Sequence, residues 1–314
     1  MAPKITRTQM LDAISRSGYL LEQRVLPRIE REGFYVEANP VYPDPNTCKT
    51  REYDFSAITG VKLYRGDTDF LFVSLVGECV NNAHPLVFFA SDTHIDYFVQ
   101  RDIKSAGIPL YIPDAEGAGN DVLLQEYLHF EKFHHYFRGT FGTQYCSFKL
   151  KSSKQTEWMA WHEEEHHGLF NSLVCATEFE VAKTFSSWYL RSKDKAEPVN
   201  VNLFYPLLIV RDELYECRQT KRGGPTLRKR SHVHFRKSVI SGTDPQVFHI
   251  DVIVESYLGR FLSTLIKEAE EIKRRFQRKK QAIELSVDRI VERARVAHTK
   301  KKAKTFREIL EYKE

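Results

Sequence analysis

The chain has 314 residues, of which 42% are hydrophobic and 28% are charged, with a formal net charge of +5. This composition is typical of a soluble globular protein with an ample core and excludes a disordered chain. No apolar run approaches the roughly 18 residues of a membrane span, and the chain begins without an apolar signal segment. Five isolated cysteines fit a reducing compartment, so we expect a cytoplasmic protein with no membrane partner.

The first predicted elements are a helix followed by several strands. Apolar residues at helical intervals predict one helix over residues 6–32, and Gly33 ends it. The predicted strands are Phe34–Glu37, Glu52–Ile58, Phe70–Cys79 and Leu86–Ala90, followed by a helix over 93–105 and a strand over Ile108–Ile112. This order predicts a mixed sheet with helices on its faces, in a first unit that covers residues 1–113.

The rest of the chain divides into a helical and a β-rich segment. Residues 114–191 are predicted to be mostly helical, and residues 198–314 to be β-rich with a long basic helix at the end. The strands predicted in this last segment are 203–210, 214–217, 233–239 and 248–254. The final helix, broken around 298–305, could contact a partner protein or a second copy of the chain. The segments could also pack as one unit with residues 1–113.

Three carboxylates stand at matching places on these first elements. Glu22 lies at the edge of the apolar stripe of the first helix, while Asp54 and Glu78 lie on two successive strands. Mg²⁺ prefers hard oxygen ligands, and it can activate water and neutralise charge at a phosphodiester. The spacing therefore indicates a metal site, although each carboxylate could instead pair with a nearby base or face solvent.

The order of these carboxylates resembles that of the PD-(D/E)XK nucleases, the restriction endonuclease-like superfamily. The similarity covers about residues 10–113 and rests on Gly18-Tyr19-Leu20-Leu21-Glu22, Arg51-Glu52-Tyr53-Asp54 and Val76-Gly77-Glu78-Cys79-Val80-Asn81-Asn82. The resemblance implies a restriction endonuclease-like mixed sheet flanked by helices. It also implies an endonuclease that hydrolyses DNA with Mg²⁺ or Mn²⁺ held by Asp54 and Glu78, with Glu22 binding a second ion or orienting water.

The sequence departs from the family pattern in two respects. Val80 stands where the family places a catalytic lysine, and Lys62 is the candidate for a lysine that has moved elsewhere. Asp67 and Asp69 also lie closer to Glu78 than Asp54 does, but they occupy a turn, so Asp54 is preferred. Without a lysine, the same fold could serve as a catalytically degenerate protein that binds nucleic acid or acts as a scaffold.

A second motif suggests a different chemistry. His162-Glu163-Glu164-Glu165-His166 fits the HExxH pattern, which on a helix places two imidazoles on one face with Glu163 as general base of a zinc hydrolase. Glu178 or Glu180 could supply a third ligand, at an unusual spacing. The two charged residues between Glu163 and His166 favour a solvated acidic helix face instead.

A basic loop over 218–237 carries eight Lys or Arg residues and no acid. Clustered cations of this kind suit a phosphate backbone, so we expect nucleic acid, and DNA in particular, as a partner. The candidate contact residues are Lys221, Arg222, Arg228, Lys229 and Arg230. Sequence specificity, oligomeric state and biological pathway have no signature in the chain.

Overall fold

The computed structural model describes residues 4–44, 49–64, 68–92, 102–112, 121–151, 156–161, 164–191, 198–211, 213–220, 223–241 and 244–299. Over these residues the chain is a mixed α/β protein in which a large mixed sheet is flanked by helices, which confirms the expected class of fold. None of the described helices is both long and apolar enough to cross a membrane.

The first predicted helix is in fact two helices. The helices of the described chain are α1 (Arg7–Arg16), α2 (Tyr19–Arg31), α3 (Leu124–Tyr127), α4 (Glu164–Arg191), α5 (Leu258–Arg278) and α6 (Lys280–Thr299). The Ser17 hydroxyl ends α1 by donating to the Ile14 carbonyl over 2.6 Å. A Cβ on Gly18 would lie 3.3 Å from the Cys79 carbonyl oxygen, so a glycine lets α2 begin close against a neighbouring strand.

The strands cover most of the remaining described chain. They are β1 (Tyr35–Ala38), β2 (Val41–Pro43), β3 (Thr50–Glu52), β4 (Phe55–Lys62), β5 (Phe70–Val80), β6 (Leu86–Asp92), β7 (Ser105–Ile108), β8 (Tyr111–Ile112), β9 (Val122–Leu123), β10 (Thr140–Leu150), β11 (Trp158–Trp161), β12 (Asn200–Val210), β13 (Leu214–Gln219), β14 (Pro225–Arg230), β15 (His232–Ser241) and β16 (Asp244–Val254). The predicted strand over 108–112 is thus divided between β7 and β8. Most of the predicted helix over 93–105 lies outside the described residues, and its last residue begins β7.

The main sheet contains 12 strands in the order β1-β4-β5-β12-β16-β15-β10-β6-β13-β14, with β7 beside β12 and β11 beside β10. β1, β4 and β5 are antiparallel neighbours, whereas β12 runs parallel to both β5 and β16. Nearly every residue of β5 and β12 is buried, because helices cover both faces of these central strands. Their apolar side chains divide between two cores: α2, α5 and α6 pack on one face, and α4 packs on the other.

The predicted helical segment over 114–191 is wrong in its first half. Its residues 140–150 form β10, and α3 and α4 are the α-helices among the described residues of this segment. Tyr145 of β10 packs with its ring centroid 5.9 Å from that of Phe88 and 4.9 Å from that of Phe170. Long-range aromatic packing therefore decides the conformation of this segment, as is common for strands. Strands from all three predicted segments join the main sheet.

The C-terminal helix also differs from its prediction. It breaks at Lys279, between α5 and α6, and the predicted break around 298–305 lies almost entirely outside the described residues. The apolar face of α5, including Phe261, Leu265 and Phe276, is buried in the core on its side of the sheet. In the described part of the chain this face is therefore occupied by the protein itself, which leaves no apolar stripe of α5 for the partner contact that the sequence suggested.

Candidate functional site

The three predicted carboxylates meet at one end of β4 and β5. The predicted strand Glu52–Ile58 is interrupted, and Asp54 directly precedes β4. Because Phe55 pairs with Gly77, Asp54 lies beside Glu78 of β5. Glu22 lies one turn into α2, and its Oε1 atom would be 3.6 Å from a Cβ on Gly18, the residue that contacts the Cys79 carbonyl. Helix α2 thus carries Glu22 to the strand end that bears the other two carboxylates.

Hydrogen bonds fix the carboxylates of Asp54 and Glu78. Asp54 Oδ2 accepts from the Cys79 backbone N–H over 2.6 Å, and the Asp54 and Glu78 carboxyl groups share a hydrogen bond. Helix α4 packs on the face of the sheet opposite α2, and its Ser172 donates to Glu78 Oε1 over 2.7 Å. Tyr42 in turn donates to the Ser172 hydroxyl over 3.3 Å. The site is therefore supported by β2 and α4 as well as by its own elements.

The electrostatics of this acidic site favour protonated carboxyls. Burial, followed by the negative charge of Asp54, raises the pKa of Glu78 to about 8. Burial also raises the pKa of Asp54, although the hydrogen bonds from Cys79 and Glu78 oppose this. The pKa of Glu22 is raised by burial and by Asp54. Burial and mutual repulsion set these values, so the site is arranged to accept positive charge.

The structure does not bring Lys62 to the carboxylates. Lys62 pairs with Phe70 at the opposite end of β4 and β5, roughly 26 Å from Asp54 at about 3.3 Å per residue. Asp69 also lies at that far end, where its Oδ1 accepts from the Val199 backbone N–H over 2.7 Å. Asp67 lies outside the described residues. Of the competing residues that are described, none joins Glu78.

The predicted nucleic-acid contacts have acidic neighbours that the sequence did not reveal. Arg228, Lys229 and Arg230 lie on β14, at one edge of the main sheet. Lys229 Nζ lies 2.6 Å from Glu213, and Arg230 lies 3.1 Å from buried Glu216. Both acids precede the basic run in the chain and meet it through the β13–β14 hairpin. Lys221 and Arg222, like His162 and Glu163 of the HExxH motif, lie outside the described residues.

A histidine network that the sequence did not suggest lies on the α5 face of the sheet. In the part of the chain that the structure describes, His134, His135 and Glu268 are the group of three possible metal ligands whose donor atoms all lie within 4.8 Å of one another, and they could hold a metal ion. Glu22, Asp54 and Glu78 do not form a group within that 4.8 Å limit. His135 contacts Glu268 through Nδ1 at 2.8 Å and Asp251 through Nε2 at 3.3 Å.

The network balances its charges internally. Burial alone would lower the pKa of His135, but the charges of Glu268 and Asp251 outweigh burial and raise the pKa to about 10. Burial opposes ionisation of both carboxyls, yet His135 keeps the pKa of Glu268 and that of Asp251 below their usual values. His232 at 2.7 Å and Tyr136 at 3.0 Å also hydrogen-bond to Asp251. An imidazolium thus compensates two buried carboxylates.

Only an adjacent pair of histidines could have pointed to this network in the sequence. Its carboxylate partners are 116 and 133 residues away from His135, so no local motif links them. Comparison with models of known families, with curated proteins and with solved structures finds no match to the chain. The function of the acidic site therefore has to be argued from its own geometry.

Proposed function

We propose that the protein is a metal-dependent nuclease that hydrolyses phosphodiester bonds of DNA at Glu22, Asp54 and Glu78. The observation that carries this proposal is the convergence of three carboxyls with raised pKa values at one strand end. Keeping such groups together is unfavourable unless protons or a cation neutralise them. A site of this kind gains its full stability only when a cation binds.

The donor set fits Mg²⁺ or Mn²⁺. Both ions prefer carboxylate oxygens and retain several water ligands, so a loosely spaced set of three carboxylates suffices. When bound, such an ion supplies charge neutralisation at the phosphorus and an activated water. Asp54 and Glu78, which share a hydrogen bond, would be the direct ligands. Glu22 would bind a second ion or orient water, and Ser172 would hold Glu78 in place.

The order of the elements around the site supports the same proposal. A helix with a carboxylate, an antiparallel set β1-β4-β5, a helix and then a parallel strand is the order expected for this resemblance. The second helix and last strand are α4 and β12, rather than the segments 93–105 and 108–112 that the sequence predicted. Between β5 and α4 the chain contributes further strands to the same sheet, namely β6, β7, β10 and β11.

A cleavage assay tests the proposal. Purified protein is incubated with supercoiled plasmid in Mg²⁺, in Mn²⁺ or in EDTA, and nicking is followed on gels. We expect metal-dependent nicking that falls by about 10²- to 10³-fold in Asp54→Asn and in Glu78→Gln. The matched control is Glu52→Gln, an exposed carboxylate on β3 that should leave the rate unchanged. Equal rates in all three variants would contradict the assignment.

A second candidate function is a degenerate nuclease fold that binds nucleic acid without cleaving it. The observation in its favour is that Val80 occupies the expected lysine position while Lys62 lies at the far end of β4. Val80→Lys separates the two candidates. If the parent lacks activity and this variant nicks DNA in Mg²⁺, the parent is degenerate. If the parent is already active and depends on Asp54, the degenerate reading is excluded.

A further inference from the structure

The main sheet opens between two of its strands. β10 and β15 run parallel but pair only where Phe141 meets His234 and Gly142 meets Phe235. Just beyond, the pairing of β10 with β6 shifts between Gly142 and Gln144, as in a β-bulge that bends a strand. The two strands diverge there and leave a cavity of about 700 Å³, within the range typical of small-molecule sites.

The walls of this cavity combine aromatic rings with polar and cationic groups. The rings belong to Phe89, Phe141, Tyr145 and Phe235, and the polar residues are Thr143, Gln144 and Ser238. Arg236 and Lys237 supply the cations. Because the cavity lies in a gap of the sheet, successive residues of β15 line it even though their side chains leave opposite faces of the strand. Flat apolar surfaces and positive charge therefore meet in one place.

The positive charge of the cavity is only partly compensated. Arg236 contacts Asp102 over 3.2 Å, but its buried Nε–H has no acceptor among the described residues. Lys237 is half-buried, and burial lowers its pKa. No carboxylate among the described residues counteracts that effect. A half-buried ammonium is unfavourable and would gain from an anion in the cavity, whereas the buried Nε–H of Arg236 would need a side-chain shift to meet one.

We propose that this cavity binds a nucleotide, with its base against the aromatic walls and a phosphate at Lys237 and Arg236. Bases stack on aromatic side chains, and guanidinium and ammonium groups bind phosphate. A small inorganic anion would leave the rings unused, whereas an apolar ligand would offer the half-buried Lys237 ammonium no counter-ion. The nucleotide could come from a free nucleoside phosphate or from one unit of a single strand. The proposal does not depend on the nuclease assignment, because β12 and β16 separate β15 from β5 by about 14 Å in total.

Calorimetric titration tests the proposal in EDTA, so that no metal at the acidic site contributes. The probes are ADP, inorganic phosphate and an octathymidylate strand. We expect ADP or the octanucleotide to bind, with a Kd that rises at least about tenfold in Lys237→Gln and in Phe141→Ala. Lys237→Arg should retain most of the affinity, and Lys267→Gln, an exposed change on α5, should retain all of it. Near-UV circular dichroism checks that each variant is folded.

The outcomes separate the two ligand sources and the two sites. Binding of ADP alone identifies a free nucleotide, and binding of the octanucleotide alone identifies a nucleic-acid strand. Inorganic phosphate that binds as tightly as ADP, or a Kd that is unchanged in folded Lys237→Gln and Phe141→Ala, would overturn the proposal. So would the absence of binding by every probe. Asp54→Asn changes the acidic site and should bind the probes like the parent. The binding result can therefore be interpreted even if the nuclease assay fails.

Discussion

Two regions of the same sheet bury carboxylates and stabilise them in opposite ways. Beside α5, His135 lies between Glu268 and Asp251, and the pKa of each carboxyl is lowered although burial opposes this. At the end of β5, the described partners of Asp54 and Glu78 are each other, the Cys79 amide and the Ser172 hydroxyl, and their pKa values are raised. A buried carboxylate with its own cation forms part of the framework. A buried carboxylate without one is ready to bind a cation.

The largest expected effect comes from removing the internal cation. In His135→Ala, Glu268 and Asp251 lose the imidazolium that holds them, so two buried charges are left uncompensated. Breaking one partner of a buried charge pair costs about 3–5 kcal/mol of unfolding free energy. Urea unfolding at pH 7 measures the loss, with exposed His129→Asn as the control. A loss as small as that of the control would show that the network does not depend on His135.

The unfolding free energy that the acidic site contributes should fall as pH rises. Because the pKa of Glu78 is about 8 in the folded protein and near 4.5 in the unfolded chain, its contribution is complete below pH 4.5 and is lost as pH rises to about 8. Relative to Glu78→Gln, the metal-free parent should therefore lose about 1.4 kcal/mol of unfolding free energy per pH unit across that window. Urea unfolding of both proteins at pH 5 and pH 8 provides the test. Parallel pH profiles would contradict the raised pKa.

These two regions also show what the sequence could and could not reveal. Glu22, Asp54 and Glu78 lie in a stretch of 57 residues, on or directly beside elements with strong local periodicity, so their order could be predicted from the sequence. His135 meets Asp251 and Glu268 only because β16 and α5 pack beside it. The break at Gly18 depends in the same way on the Cys79 carbonyl. Contacts of this kind are fixed by tertiary packing and leave no local pattern.

The affinity of the acidic site for a divalent cation should depend on pH, because its carboxyls lack a cation of their own. A divalent cation at the acidic site must displace the proton that Glu78 holds below pH 8. The apparent affinity for Mn²⁺ should therefore rise about tenfold per pH unit from pH 6 to 8 and then level off. Calorimetry in buffers of different ionisation enthalpy counts the released proton. An affinity independent of pH over this range would show that Glu78 is not a ligand.

The smallest expected effect comes from Ser172, which is not a proposed metal ligand but hydrogen-bonds to one, Glu78. Ser172 donates to Glu78 Oε1 over 2.7 Å, and this hydrogen bond lowers the pKa of Glu78 against the larger effect of burial. Ser172→Ala should therefore raise that pKa further and weaken Mn²⁺ binding at pH 7 by a few-fold, in keeping with about 1 kcal/mol for one hydrogen bond.

The matched control for this change is Ser286→Ala, whose hydroxyl donates to the Ala282 carbonyl within its own helix. It should leave Mn²⁺ affinity unchanged at every pH. Because the Ser172 effect acts through a proton, it should fade above pH 9, where Glu78 is ionised in both proteins. A deficit that persisted undiminished at that pH would instead show that Ser172 positions the carboxylate geometrically, as Tyr42 does for Ser172 itself.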